Sequence, residues 1–411
     1  MSPHRRAFLK SLVGFPSLVS LSPVIPPLLA RTVLADSACP AASDNVLVLL
    51  QLSGGNDGLN TIVPVGDDQY ARHRRTLRFQ PGEVLRIDDY AGFHPELREL
   101  ARLFAEARLS VVQSVGYPDS SRDHEVALRD WHTAQPGHEH ADTGWLGRAL
   151  DSATPASPLS GIIVGSIRQP QVMTAARTVA PRLHSLQQLA VNDLEPAVYQ
   201  SPHSPTSGNP LLDHVRRHSR IARLNRHRMG DVLAGSDRRA RYPDSPLAAQ
   251  FHIIADLLRA ELGTRVFFAE LGGDGFGGFD NHANQRDNHA ALLRQLSQAV
   301  AAFLDDLAST AWTDRVLLVT FSEFGRTLSE NGRRGTDHGA AAPLFLAGNG
   351  LRGGLIGPPP ELHDLQADAP VPHTDFRSVY ATLLEQWLAL PSQPILGRSF
   401  PSLDLLPRRD A

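Results

Sequence analysis

The feature that most constrains this chain is a run of aliphatic residues, Val316-Leu317-Leu318-Val319, that stops abruptly in polar ones. A short, continuous apolar run bounded in this way fits a strand buried on both faces, as in a parallel sheet covered by helices. Ser322, Glu323 and Arg326 follow its carboxyl end. After a Gly/Asn/Arg loop come Thr336, Asp337, His338 and Gly339, and then a second apolar run from Pro343 to Ala347. Ligands of α/β sheets collect at the carboxyl ends of the strands. Carboxylates, a histidine and a guanidinium gathered there make a candidate site for a metal or an anion. The plainer alternative is a surface loop between two core strands, but the glycines flanking Asp337 and His338 suit a close backbone approach.

The same pattern occurs twice more. Residues 45–52 form an apolar run that empties into Ser53-Gly54-Gly55-Asn56-Asp57-Gly58, a tight turn that puts Asp57 at a strand end and leaves Asn56 as a candidate substrate contact. Asp57 capping its own turn is the alternative. Residues 265–271 lead into a glycine-dense loop that ends in Asp280-Asn281-His282. On an extended segment Asp280 and His282, two apart, project to the same side. Otherwise Asp280 caps a helix and His282 is idle. Between these strands, residues 95–107 and 247–262 read as amphipathic helices. Residues 109–115 and 162–164 read as further strands. A polar loop containing Asp123 and His124 leads into a helix carrying Trp131, and Gly144-Trp145-Leu146-Gly147-Arg148 begins another short helix.

Composition excludes several function classes. Lys10 is the sole lysine, so a mature chain without its leader has no Schiff-base or phosphate-loop lysine. The single Cys39 permits neither an internal disulfide nor a cysteine metal cluster. A formal net charge of −3 gives no field for nucleic acid. Residues 211–233 read as a helix rich in arginine, but the charges spread around it and no aromatic residues interleave to stack bases. No nucleic-acid partner is expected.

Residues 1–35 read as an address rather than as fold. Arg5-Arg6 with Ala7-Phe8-Leu9-Lys10 forms a twin-arginine motif, and Val33-Leu34-Ala35 fits a cleavage site. Pro16, Pro23, Pro26 and Pro27 break the apolar segment between them, which argues against a membrane anchor. The expected route is the twin-arginine translocase, with the mature protein periplasmic or secreted and without a stable membrane span. Residues 36–411 are expected to form one α/β domain with a loop-rich and helical insertion around 160–262.

The leader, LVLLQLSGGNDGLNTIVP, TGWLGR, GFDNH, VLLVTFSEFGRT and GTDHGAAAPLFLAG together resemble a bacterial family of unknown function, largely exported by the twin-arginine route. That family is grouped with the alkaline phosphatase and sulfatase superfamily. The resemblance covers nearly the whole mature chain. It implies a doubly wound, mostly parallel α/β sheet with metal ligands at the strand ends. By the same analogy Asp57, Asp280, His282, Glu323, Asp337 and His338 hold one or two divalent ions. Carboxylate and imidazole donors favour Zn²⁺ or Mn²⁺.

The chain departs from that pattern in places. Asp280 and His282 are closer together than the superfamily's middle pair, and Ser322-Glu323 stands where it has Asp-His. Asp123-His124 stands where relatives keep Ser-His, which makes both residues catalytic candidates and leaves water as the attacking group. The formylglycine segment of type I sulfatases is absent. The expected activity is metal-assisted hydrolysis of an anionic phosphate or sulfate ester, with Arg326 or Arg377 holding the equatorial oxygens. Two other classes compete. A serine esterase of the SGNH type needs an upstream Gly-Asp-Ser turn, which is missing. An exported, non-catalytic protein that binds a ligand or polysaccharide on a degenerate phosphatase-like fold is the stronger rival.

One prediction concerns the leader. Replacing Arg5 and Arg6 with lysine should hold the precursor in the cytoplasm, read by fractionation and immunoblotting; unchanged export would show that the arginine pair is not an address.

Overall fold

The structure is a computed structural model that describes residues 44–152, 160–165, 168–185, 242–273 and 278–406. The leader, Cys39, the arginine-rich segment 211–233 and the glycine loop residues 274–277 lie outside the described residues.

The chain opens with β1 (Val46–Leu52), followed by a short helix α1 (Asp68–His73) and α2 (Arg98–Ala105). Then come β2 (Leu109–Gly116), α3 (His124–Thr133), α4 (Trp145–Ser152) and the short strands β3 (Gly161–Val164) and β4 (Arg182–Leu183). The second half holds α5 (Pro246–Arg259), β5 (Val266–Leu271), α6 (Gln285–Leu307) and β6 (Val316–Phe321). A hairpin of β7 (Arg326–Glu330) and β8 (Thr336–His338) precedes β9 (Ala342–Gly348). β10 (Gly354–Ile356), β11 (Thr374–Asp375) and α7 (Phe376–Thr382) complete the frame. Among the described residues, the strands and helices expected over 45–52, 95–107, 109–115, 162–164, 247–262, 265–271 and 316–319 are present with ends moved by a few residues; the helix expected over 211–233 lies outside them.

Among the described residues the main sheet has nine strands in the order β10-β2-β9-β6-β1-β5-β3-β4, with β11 also paired to β2. β1 lies between β5 and β6 and is parallel to both, Leu49 pairing with Phe268 on one side and Val319 on the other. The fold is therefore α/β with a mostly parallel sheet. Among the described strands of this sheet only β9 runs antiparallel to its neighbours, β2 and β6. This reversal matters for the site. Ala342 at the start of β9 pairs with Val115 near the end of β2, so the segment entering β9 arrives at the edge where the other strands end.

The pleat divides the core in two. Val46, Val48, Leu50 and Leu52 of β1 point into one cluster with Leu103 of α2, Phe251 and Ile254 of α5, and Leu296 and Phe303 of α6. Leu47 and Leu49 point into the other, with Trp131 of α3, Trp145 of α4 and Tyr380 of α7. Each such side chain contributes about 1.5–3 kcal/mol by leaving water, so covering both faces explains why β1 is apolar throughout. The stretch 160–262 expected as an insertion includes β3, β4 and α5, which belong to this sheet and its helical layer.

α4 is pressed against residues 171–174. A Cβ on Gly147 would lie 1.9 Å from the Thr174 carbonyl oxygen, whereas one on Gly82 would meet nothing within 4 Å. Gly147→Ala should therefore lower stability by about 1–3 kcal/mol and Gly82→Ala should not. Denaturant midpoints of the two variants would check this, and equal midpoints would refute the packing account.

Candidate metal centre

The site forms where four segments meet at the carboxyl edge of the sheet. His124 is the first residue of α3, whose preceding residue Asp123 caps the helix by accepting from Val126 N–H at 3.1 Å. Asp280 and His282 lie between β5 and α6, Glu323 just beyond β6, and Asp337 and His338 in β8. The hairpin register sets His338 directly opposite Arg326.

Each imidazole has an acceptor behind its Nδ1. His124 Nδ1 is 3.1 Å from Glu323 Oε1, His282 Nδ1 is 3.0 Å from Asp337 Oδ1, and His338 Nδ1 is 2.6 Å from the Arg122 carbonyl oxygen. Carboxylates and carbonyls only accept, so a neutral ring that donates from Nδ1 to these partners presents the lone pair of its Nε2, which is the tautomer a metal ion requires. Those lone pairs converge. His282 Nε2 and His338 Nε2 lie 2.9 Å apart, and both approach Asp280 Oδ1, at 3.0 and 3.1 Å. His124 Nε2 is 3.5 Å from Asp280 Oδ2. Nitrogen lone pairs gathered on a carboxylate repel one another unless a cation or added protons lie among them. Imidazoles whose far nitrogens are tied to acceptors while the near ones face a common point have the arrangement of metal-ligating histidines with their outer partners. His124, Asp280 and His338 each offer a ligand atom within 4.8 Å of the others.

The charges agree with that geometry. Burial alone would raise the Asp280 carboxyl, but the Arg326 guanidinium outweighs it and holds the group down at about 2. Asp280 is thus an anion over the whole working range. His338 is held below its ordinary value, chiefly by burial, which favours the neutral ring. His124 is raised, first by its hydrogen bond to Glu323. Asp337 is lowered, first by Asn331 and then by His282.

The other residues singled out from sequence sit elsewhere. Asp57, expected among the ligands, is buried with both carboxylate oxygens bound by Arg74, at 2.5 and 2.9 Å, and by the Gln285 amide as well. Its oxygens are engaged by that guanidinium and amide rather than turned to the cluster. Asn56, expected to contact substrate, is fully buried with Oδ1 against Thr61 and His289, and its Nδ2 lacks a partner. Arg326, expected to grip an anion, is buried and donates to Gly55, Thr336 and Phe279 carbonyls and to Asp280 Oδ1 at 2.8 Å, as well as to the Gly54 carbonyl. Arg377 is paired with Asp375 at 2.6 Å. Asp123 is exposed and serves as the helix cap described above.

Beside the histidine group a cleft of about 1190 Å³ opens, lined among others by His124, Asp280, His282 and Glu323 and, further along, by Ser53, Arg129, Arg168 and Glu270. Ser53, Gln51, His132 and Glu270, for which the sequence raised no expectation, also line the cleft. The available signal was Gln51 and Glu270, polar residues inside otherwise apolar strands. Gly54 holds the turn beside the group: it has φ +109°, and a Cβ there would lie 2.5 Å from the Asp280 backbone nitrogen.

A mostly parallel α/β sheet carrying histidines and carboxylates at its carboxyl edge defines an α/β protein with a candidate metal centre. The chain belongs to the family described as "Protein of unknown function (DUF1501)", which matches residues 110–388, well over half its length. No curated protein matches it. Among solved structures, the C-terminal periplasmic domain of EcEptC from Escherichia coli, in complex with Zn, is similar at 10% identity over 75% of each chain, with a TM-score of 0.36. A protein in the alkaline phosphatase superfamily from Vibrio parahaemolyticus is similar at 10% identity over 91% of this chain and 77% of its own, with a TM-score of 0.36. Alkaline phosphatase from the Antarctic bacterium TAB5 is similar at 11% identity over 76% of this chain and 94% of its own, with a TM-score of 0.33.

The Asp57 and Arg74 pair gives a stability prediction. Removing one partner of a buried pair costs about 3–5 kcal/mol, so Asp57→Asn should destabilise by that order at pH 7. The folded Asp57 carboxyl lies below its ordinary 3.8: burial would raise it, but Arg74 prevails. The pair's contribution is therefore complete above 3.8 and lost as pH falls through the lower, folded value. Urea unfolding of wild type and variant at several pH values should show the difference shrinking in acid; a constant, small difference would refute it.

Proposed function

We propose that this chain is an exported, metal-dependent hydrolase of phosphate or sulfate esters. The observation that carries the reading is the convergence of the Nε2 atoms of His124, His282 and His338 on Asp280, each ring fixed from behind by an acceptor. Two imidazoles and a carboxylate within 4.8 Å suit Zn²⁺ or Mn²⁺. With Asp57 bound to Arg74, the group provides for one ion rather than two. A bound divalent ion supplies Lewis acidity toward an ester oxygen.

The protein's own part is to bind and orient. Glu323 and Asp337 fix the rings of His124 and His282, and Arg326 fixes the Asp280 carboxylate. Arg129 and Arg168 on the cleft wall provide positive charge for an anionic ester. The leader motif, with passage through the twin-arginine translocase, would deliver the domain to the periplasm or beyond. Among the described residues no helix is long and apolar enough to cross a membrane. A second reading, ligand binding without catalysis, draws support from Asp123, which caps a helix where relatives keep a hydroxyl.

Metal analysis of the purified protein together with rates on phosphomonoester, phosphodiester and sulfate ester substrates tests the reading. About one equivalent of divalent metal is expected, with turnover in one ester class. Glu323→Gln, which removes the charge behind His124, should weaken metal affinity about 10- to 100-fold. Metal without turnover in any class would favour the binding reading, and a protein that takes up no Zn²⁺ or Mn²⁺ would remove both the metal and the hydrolase.

A further inference from the structure

The floor of the cleft holds a second polar group that the metal centre does not use. β1 and β5 are parallel neighbours, and their register sets Gln51 beside Glu270. Both residues continue the rows that begin with Leu47 and Leu49 in β1 and with Val266 and Phe268 in β5, which face the core. A carboxylate and an amide on such a row, at the strand ends under a cleft, break the apolar pattern where function is the usual reason. Ser53 stands two residues beyond Gln51, on the same face.

The hydrogen bonds have one consistent direction. Glu270 Oε1 lies 2.6 Å from Ser53 Oγ and, as a carboxylate, can only accept, so the serine hydroxyl donates to it. The Gln51 amide donates to Ser53 Oγ at 2.7 Å, and the Gln51 carbonyl oxygen accepts from His132 Nε2 at 2.7 Å. The amide is thereby held from flipping, and the serine proton stays directed at Glu270. The pair is also close to the metal centre. The amide of Gly54 donates at 2.8 Å to Glu323 Oε1, the oxygen that also accepts from His124. The Ser53 carbonyl accepts from Phe279 N–H at 2.8 Å, one residue before Asp280. Ser53, Glu270, His124 and Asp280 all line the same cleft.

We propose that Ser53 is the nucleophile of this cleft and Glu270 its general base, an assignment that rests on the ester-cleaving reading above. Ser53 Oγ bonds to the phosphorus or sulfur while the bond to the departing oxygen breaks. The hydroxyl proton passes to Glu270 Oε1 and on to that oxygen, releasing the alcohol. Water then attacks the phosphorylated or sulfated serine, Glu270 takes its proton, and Ser53 Oγ leaves and recovers it as phosphate or sulfate departs. A hydroxyl paired with a base in this way is an activated nucleophile.

The test uses the full mature chain and two readouts. A fluorophosphonate probe followed by peptide mass mapping should label Ser53 in the wild type. Ser53→Ala should abolish the label, and Glu270→Gln should slow labelling by on the order of 10²- to 10⁴-fold, the usual loss for a general base. Ser53→Ala should also lose turnover of 4-nitrophenyl phosphate or 4-nitrophenyl sulfate while its metal content stays at the wild-type level. Wild-type protein left unlabelled at Ser53, or Ser53→Ala turning over like wild type, overturns the assignment, and in the second case the ester-cleaving reading survives. Labelling at Ser53 without turnover of either ester sustains the nucleophile and removes the ester-cleaving reading.

Discussion

The site depends on one buried guanidinium. Arg326 donates to main-chain carbonyls of Gly54 and Gly55 after β1, Phe279 after β5 and Thr336 in β8, and to the side chain of Asp280. A guanidinium has five N–H donors in a fixed plane, and here they tie together loops from three parts of the chain. Its charge would be costly so far from water if those donors were unmatched. A lysine, with a point charge and no planar fork, could not make the same set of bonds. The arginine that sequence reading assigned to substrate is instead the clamp that gives the loops a common geometry.

Arg74 performs a similar task one layer away. It follows α1, donates to both oxygens of Asp57 and to the carbonyls of Thr327 and Leu328, and so joins the first loop to the β7–β8 hairpin. Gln285, at the start of α6, bonds both Asp57 and Thr336. The two guanidiniums therefore both fasten the hairpin, Arg74 through its first strand and Arg326 across to Thr336 in its second, and His338 reaches the cluster because that hairpin is held.

Much of the frame was legible in the sequence. A run such as Val46–Leu52 can bury both faces only inside a covered sheet, and the apolar patterning of β2, β5, β6 and β9 carries the same message. The strand-end rule also brought Asp280, His282, Glu323 and His338 to one place. Asp57 shows where such reasoning stops. A carboxylate at a strand end looks the same whether its partner is a metal or a guanidinium, and nothing around Arg74 marks it as that partner before the chain folds. Asp123 and His124 show the same limit at the scale of one residue: the aspartate caps the helix and the histidine, next along, turns into the cleft. Gln51 and Glu270 become meaningful only when the β1–β5 register sets them side by side, and register between segments so far apart cannot be read from local pattern.

The position of β1 has a consequence for how the molecule comes into being. The first strand among the described residues is a central one, yet Leu47 pairs with Val266 and Leu317, from strands made long afterwards. Until β5 and β6 arrive, an apolar strand waits with both edges open, the condition in which strands pair with the wrong partner. Residues of the clamp and the histidine cluster range from Gly54 to His338, so neither can close before most of the chain has been made. Assembly of this sheet is therefore governed by late, distant contacts and slow loop closure. Both partners of β1 are thus added only in the later part of synthesis.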